Sequence, residues 1–143
     1  SEGIILDPSL FLGHYFLGQI YRDRSMAREA TTEFEKAFEL SEGYPVVTAN
    51  LILAYHGHGR TAEAEQLEKD LRDRARTEYV CPMSFFLLHL GRKEFEQAAG
   101  CLENACKERD SFLPWFLVHP SPKIRLVFDL PVFNDILKKH GLR

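Results

Sequence analysis

The segments Leu17-Gly18-Gln19-Ile20-Tyr21 and Ala30-Thr31-Thr32-Glu33-Phe34-Glu35-Lys36-Ala37 set the reading of the whole chain, because their landmarks return at a constant interval. Ala30, Ala64 and Ala98 stand 34 residues apart. The same step joins Leu17 to Leu51 and Phe85, Tyr21 to Tyr55 and His89, and Ala37 to Leu71 and Ala105. A fixed step of this size marks stacked supersecondary units, each too small to bury both of its faces alone. Small side chains (Gly18, Ala30, Ala37) suit places where two helix backbones cross closely, while Leu17, Tyr21 and Phe34 fill the space between crossing ridges.

Periodicity inside the unit agrees. Ala27, Ala30, Phe34, Ala37, Phe38 and Leu40 fall mostly at three- and four-residue steps, and Arg28, Glu29, Glu33, Glu35, Lys36 and Glu39 occupy the other side. Gly43, Pro45, Gly57, Gly59, Pro82 and Gly91 punctuate the chain where turns are expected. No segment alternates with a period of two for long enough to form a strand. The pattern predicts helices over 9–23, 26–41, 45–57, 61–77, 82–91 and 94–108.

Leu17-Gly18-x-x-Tyr21 followed by Ala30, Phe34 and Ala37 resembles the tetratricopeptide repeat, whose period is 34. In that family a helix-A W-x-x-L-G-x-x-Y precedes a helix-B A-x-x-x-F-x-x-A; here His14 replaces the Trp, and Glu42 stands where Pro is common. The second copy keeps Leu51, Tyr55 and Ala64 but has Ile52 for the glycine and Glu68 for the aromatic. The third keeps Phe85, Ala98, Leu102 and Ala105, with Phe86 at the glycine position. The resemblance implies an all-α, right-handed α-solenoid of helix-turn-helix hairpins. Its expected parts are the end of a preceding repeat over 1–10, repeats over 11–44, 45–78 and 79–110, and a C-terminal capping segment over 111–143.

The ends carry their own signals. Ile4-Ile5-Leu6-Asp7-Pro8 looks like the close of an earlier repeat, and a short lead-in with a helix-starting Pro is the alternative. The chain opens on Ser1, not Met, which reads as an excised piece of a longer array. After Asp110 the repeat decays into an apolar patch over 112–118, a short run over 124–128, and a last helix over 131–140. Asp129 is placed to cap that helix, Pro131 suits its first turn, and Gly141 its left-handed end. This tail is similar to that of many bacterial multidomain proteins in which such an array follows a kinase, cyclase or winged-helix domain. Asp129-Leu130-Pro131-Val132-Phe133 is an imperfect copy of their D-P-x-F-x-x-L pattern.

Composition narrows the function classes. In 143 residues, 45% are apolar, 27% are charged and Phe occurs 11 times, which suits one folded domain and not a disordered chain. The net charge of -3 is small and the signs are interspersed, so there is no basic stripe for a nucleic-acid backbone. No apolar run approaches the roughly 20 residues of a membrane span, and no signal peptide is visible. Cys81, Cys101 and Cys106 lack C-x-x-C spacing and read as small buried residues of a reducing compartment, the cytoplasm.

Chemistry finds little support. His56 and His58 flank Gly57 without a cysteine or carboxylate at ligand spacing, so no metal or other cofactor is expected. His14 and His89 fall at aromatic core positions and read as packing residues. A pair such as Cys81 with His89 lacks any supporting signature, and no phosphate-binding glycine loop occurs. Glu63, Glu65, Glu68 and Asp70, with Lys69 and Arg72 among them, read as an ordinary solvated helix face. The chain is expected not to be an enzyme.

The resemblance instead implies a concave groove lined by the first helices of successive repeats. Carried over position by position, its lining is Leu12, Tyr15, Gln19 and Arg22, then Val46, Ala49, Asn50, Leu53 and His56, then Val80, Met83 and Leu87. This mostly apolar set suits a helix or an extended peptide from a protein partner. Chaperone-binding members of the family grip a terminal carboxylate with cations; Asn50 matches one such position, but Tyr15, Val80 and Ser84 stand where the cations belong. The leading expectation is a protein-interaction or scaffolding module of a larger regulatory protein. The alternative is homo-oligomerisation through the N-terminal face or the 112–118 patch.

Overall fold

The computed structural model describes residues 9–110, 113–117 and 122–143, and among these every regular element is helical. In chain order they are α1 (Ser9–Asp23), α2 (Ala27–Leu40), α3 (Pro45–Gly57), α4 (Thr61–Ala75), α5 (Pro82–Gly91), α6 (Phe95–Glu108), α7 (Leu113–Leu117), α8 (Pro122–Val127) and α9 (Pro131–Lys139). The first six match the predicted helices to within two residues at either end. The short helices α7 and α8 were not anticipated. The expected repeat remnant over residues 4–8 lies outside the described residues, as do Phe112 and Val118. No helix among the described residues is long and apolar enough to cross a membrane.

The turns between paired helices repeat as faithfully as the side chains. Ser25, Gly59 and Lys93 all adopt positive φ, at 59°, 77° and 60°. After each, one backbone N–H reaches back to the same relative carbonyl: Met26 to Tyr21 at 2.9 Å, Arg60 to Tyr55 at 2.8 Å and Glu94 to His89 at 2.9 Å. That bond satisfies a carbonyl left open at the end of the first helix and requires the left-handed residue before it.

The chain gathers into two compact units divided between Asp73 and Arg74. In the first, α1 packs on α2 and α2 on α3. Gly18 allows the closest approach: a Cβ there would lie 2.8 Å from the Phe34 ring, which is fully buried. Tyr15 meets Phe34 edge-on at 6.0 Å, Phe11 stacks on Tyr44 at 5.9 Å, and Val47, Leu51, Ile52, Ala64 and Leu71 complete the core.

In the second unit, α5 packs on α6 and α6 on α9. Phe86 stands where Gly18 stands in α1, and its partner helix carries the smaller Leu102 where α2 carries Phe34. The large ring therefore belongs to α5. It stacks on Phe128 at 5.8 Å and meets Phe133 of α9 edge-on at 5.4 Å. Phe133 and Leu137 are fully buried, so the amphipathic α9 places its apolar edge on this cluster.

Pro131 opens α9, and Gly141 follows it at a φ of 74°, with the Leu142 N–H bonded to the Leu137 carbonyl at 2.8 Å. Asp129 does not cap the helix. The N-cap is Leu130, without a side-chain bond, and Asp129 lies one residue before it, with its Oδ1 accepting from Arg143 Nη1 at 2.6 Å.

Candidate functional site

Leu12, Tyr15, Gln19 and Arg22 follow one another at helical spacing along one face of α1, and Asn50 and Leu53 do so on α3. Hydrogen bonds tie four of these side chains together. Asn50 Nδ2 donates to the Tyr15 hydroxyl at 3.2 Å and to the Val46 carbonyl at 2.9 Å, while its Oδ1 accepts from Arg22 Nη1 at 2.7 Å. Arg22 Nη2 donates to Gln19 Oε1. The guanidinium carbon lies 5.5 Å from the centre of the Phe34 ring, a cation–π distance.

This cluster is electrostatically unusual. Arg22 is bonded to two neutral amides, which take two of the five N–H donors of a guanidinium. Burial pushes its pKa down, with Tyr15 and Asp23 acting in the opposite direction. Burial likewise raises the Tyr15 phenol, partly offset by Arg22, Gln19 and Asn50. Gln19 is buried, and its side-chain amide also faces the Tyr15 hydroxyl.

Burial redistributes the predicted lining. Tyr15, Gln19, Val46, Ala49, Asn50, Met83 and Leu87 are buried, so they support the surface and do not form it. Leu12, Arg22, Leu53, His56 and Val80 are partly buried, and the His56 Nε2 is itself enclosed. In the second unit, Met83 is held by its backbone: its N–H donates to Asp110 Oδ2 at 2.9 Å. Asp110 is itself buried and thus caps the first turn of α5 from the end of α6. Sequence reasoning missed that role, because a capping residue is ordinarily sought just before its helix and not after the next one.

The other candidate groups are occupied structurally. His14 and His89, expected as packing residues, each lie against a carboxylate: His14 Nδ1 is 3.3 Å from Glu33 Oε1, and His89 Nδ1 is 2.9 Å from Glu94 Oε1. Cys81, Cys101 and Cys106 are free thiols, half-buried and not fully enclosed. Cys81 Sγ lies 3.0 Å from the Ser84 hydroxyl, and burial raises the Cys81 and Cys106 thiols above their usual range. A raised thiol is a poor nucleophile near neutral pH. Among the described residues no cluster of His, Cys, Asp and Glu could hold a metal ion. Set against known proteins, the chain matches no family model, no curated protein and no solved structure.

Proposed function

We propose that this chain is a tetratricopeptide-type right-handed solenoid ended by α9, and that it binds a peptide or partner domain along the exposed face of α1 and α3. On this reading it is a regulatory or scaffolding appendage of a larger bacterial protein, works in the cytoplasm and is not an enzyme. The turn that recurs with the 34-residue step supports the architecture. The raised Cys81 and Cys106 thiols fit a non-enzymatic role.

One observation carries the binding function: the Arg22 cluster. The partly buried Arg22 guanidinium, bonded to Asn50 and Gln19, sits on an aromatic ring, on the helix faces that also carry Leu12 and Leu53. Polar donors among apolar anchors are the usual makeup of a peptide-binding surface.

The test is selection of peptides from a display library against the whole chain, followed by mapping with NMR. Shifts should concentrate at Leu12, Arg22, Leu53 and His56. Leu12→Asp with Leu53→Asp should abolish binding while leaving helical circular dichroism intact, since both residues are half-exposed. Binding that survives this change defeats the reading. Tyr15 is unsuitable for the purpose, because it is buried against Phe34 and its loss would disturb the fold.

A second reading, self-association, is favoured by a stripe on α1. Leu10, Leu17 and Ile20 are 55%, 37% and 47% exposed and share one helix face. Within the 112–118 patch, Leu113 is buried. Sedimentation over a concentration series decides this case: a strict monomer rules it out.

A further inference from the structure

We propose that the first unit carries a second binding site, a cleft between α2, α3 and α4 that takes a short basic, amphipathic segment of a partner protein. It is separate from the Arg22 face and does not depend on the reading given above. The cleft has a volume of about 510 Å³. Its floor is apolar, formed by Phe38, Leu51, Tyr55 and Leu67, and its walls carry four carboxylates, Glu35, Glu39, Glu63 and Asp70. Arg60, at one end, is a basic side chain that already meets two of these carboxylates.

The occupant follows from what each wall requires. A purely apolar ligand would cover carboxylates without pairing them, at the cost of their hydration. A small, fully hydrated cation would leave the apolar floor wet. A ligand that meets both has cationic heads spaced by apolar groups, which is what Lys and Arg beside Leu or Val provide through their long aliphatic stems. The protein already shows the chemistry at one end of the cleft. The Arg60 guanidinium lies 4.5 Å from the centre of the Tyr55 ring and donates to Glu63 at 2.6 and 2.7 Å and to Glu35 at 3.4 Å. Arg60 takes up Glu35 and Glu63, which leaves the exposed Glu39 and Asp70 to meet the incoming cations. Asp70 is positioned for this by Gln66, whose Nε2 donates to its Oδ1 at 3.0 Å.

The probe is a fluorescein-labelled peptide of about ten residues alternating Arg and Leu, titrated against the whole chain by fluorescence anisotropy, with a matched Arg–Ser peptide beside it. Saturable binding of the Arg–Leu peptide is expected, and the Arg–Ser peptide should bind at least about tenfold more weakly because it cannot use the floor. Glu39→Lys with Asp70→Lys should weaken the Arg–Leu peptide by about tenfold or more, whereas the charge-matched pair Glu65→Lys with Glu96→Lys should change it by less than about threefold. Glu65 and Glu96 are exposed and lie outside the cleft. If the first pair fails to fold, Glu39→Gln with Asp70→Asn replaces it and should still weaken binding. The proposal is overturned by no saturable binding, by equal loss in the two charge-matched pairs, or by Arg–Ser binding as tightly as Arg–Leu.

Discussion

A Cβ added to Gly18 would meet the enclosed Phe34 ring at 2.8 Å, so Gly18→Ala must displace a side chain that has no free space around it. Overpacking of this kind costs about 1–3 kcal/mol, more than the roughly 1 kcal/mol that Ala gains over Gly inside a helix. Gly13, also within α1, has nothing within 4 Å of its added Cβ. Urea unfolding should therefore show Gly18→Ala less stable and Gly13→Ala more stable than the parent, each by about 1 kcal/mol. Equal effects of the two substitutions would remove the close approach from the account. The need for a small residue at Gly18 was legible in the sequence, because the repeat fixed its opposite number. The fate of Arg22 was only half legible: spacing put it on the right helix face, but its bond to Asn50 exists only once α3 lies beside α1.

Among the elements, α9 is anchored by the buried Phe133 and Leu137, and a surface charged clasp beside them adds a small increment whose strength follows pH. Glu103 Oε1 on α6 accepts from Lys139 Nζ at 2.9 Å and lies 3.0 Å from His140 Nε2. These partners hold the Glu103 carboxyl down at about 2, from an ordinary value of 4.5. A carboxyl whose pKa falls on folding adds stability above its unfolded value and loses it as pH drops toward the folded one. Stability from the clasp is thus complete above about pH 5 and fades between about 4.5 and 2. Thermal unfolding of Glu103→Gln should fall below the parent at pH 6 and converge with it near pH 2. A constant gap across that range would assign Glu103 no such role.

The same scale shows where the sequence was silent. The Gly and Pro punctuation and the 34-residue step placed α1 to α6, whereas α7 and α8, at five and six residues, are too short to display a helical period. The acidic face of α4 was legible as charge but not as a cleft wall, since that requires α2 opposite it.

For the whole molecule, the division into two units gives each its own buried aromatic centre, Phe34 in one and Phe86 with Phe133 in the other. Phe34→Ala and Phe133→Ala should each cost about 3–5 kcal/mol, the usual range for a fully buried ring. Hydrogen exchange read residue by residue should lose protection first around the altered ring and within its own unit. Uniform loss over both units after either change would mean one cooperative core. An all-helical chain was legible from pattern alone; which predicted lining positions face outward was not, because position in a repeat does not say what a neighbouring side chain covers. Val46, Ala49 and Met83 are buried for that reason.

The shared backbone of Ser25, Gly59 and Lys93 has a consequence for how such a chain can change length. Excising residues 25–58 would bring Gly59 into the place of Ser25 with the same sign of φ and the same back-reaching hydrogen bond, so the backbone of the turn is matched. The side chains are not: α1 would then be followed by α4, which carries Glu68 where α2 carries Phe34. A designer joining hairpins at these turns keeps the loop but has to restore a large ring for Gly18 to receive.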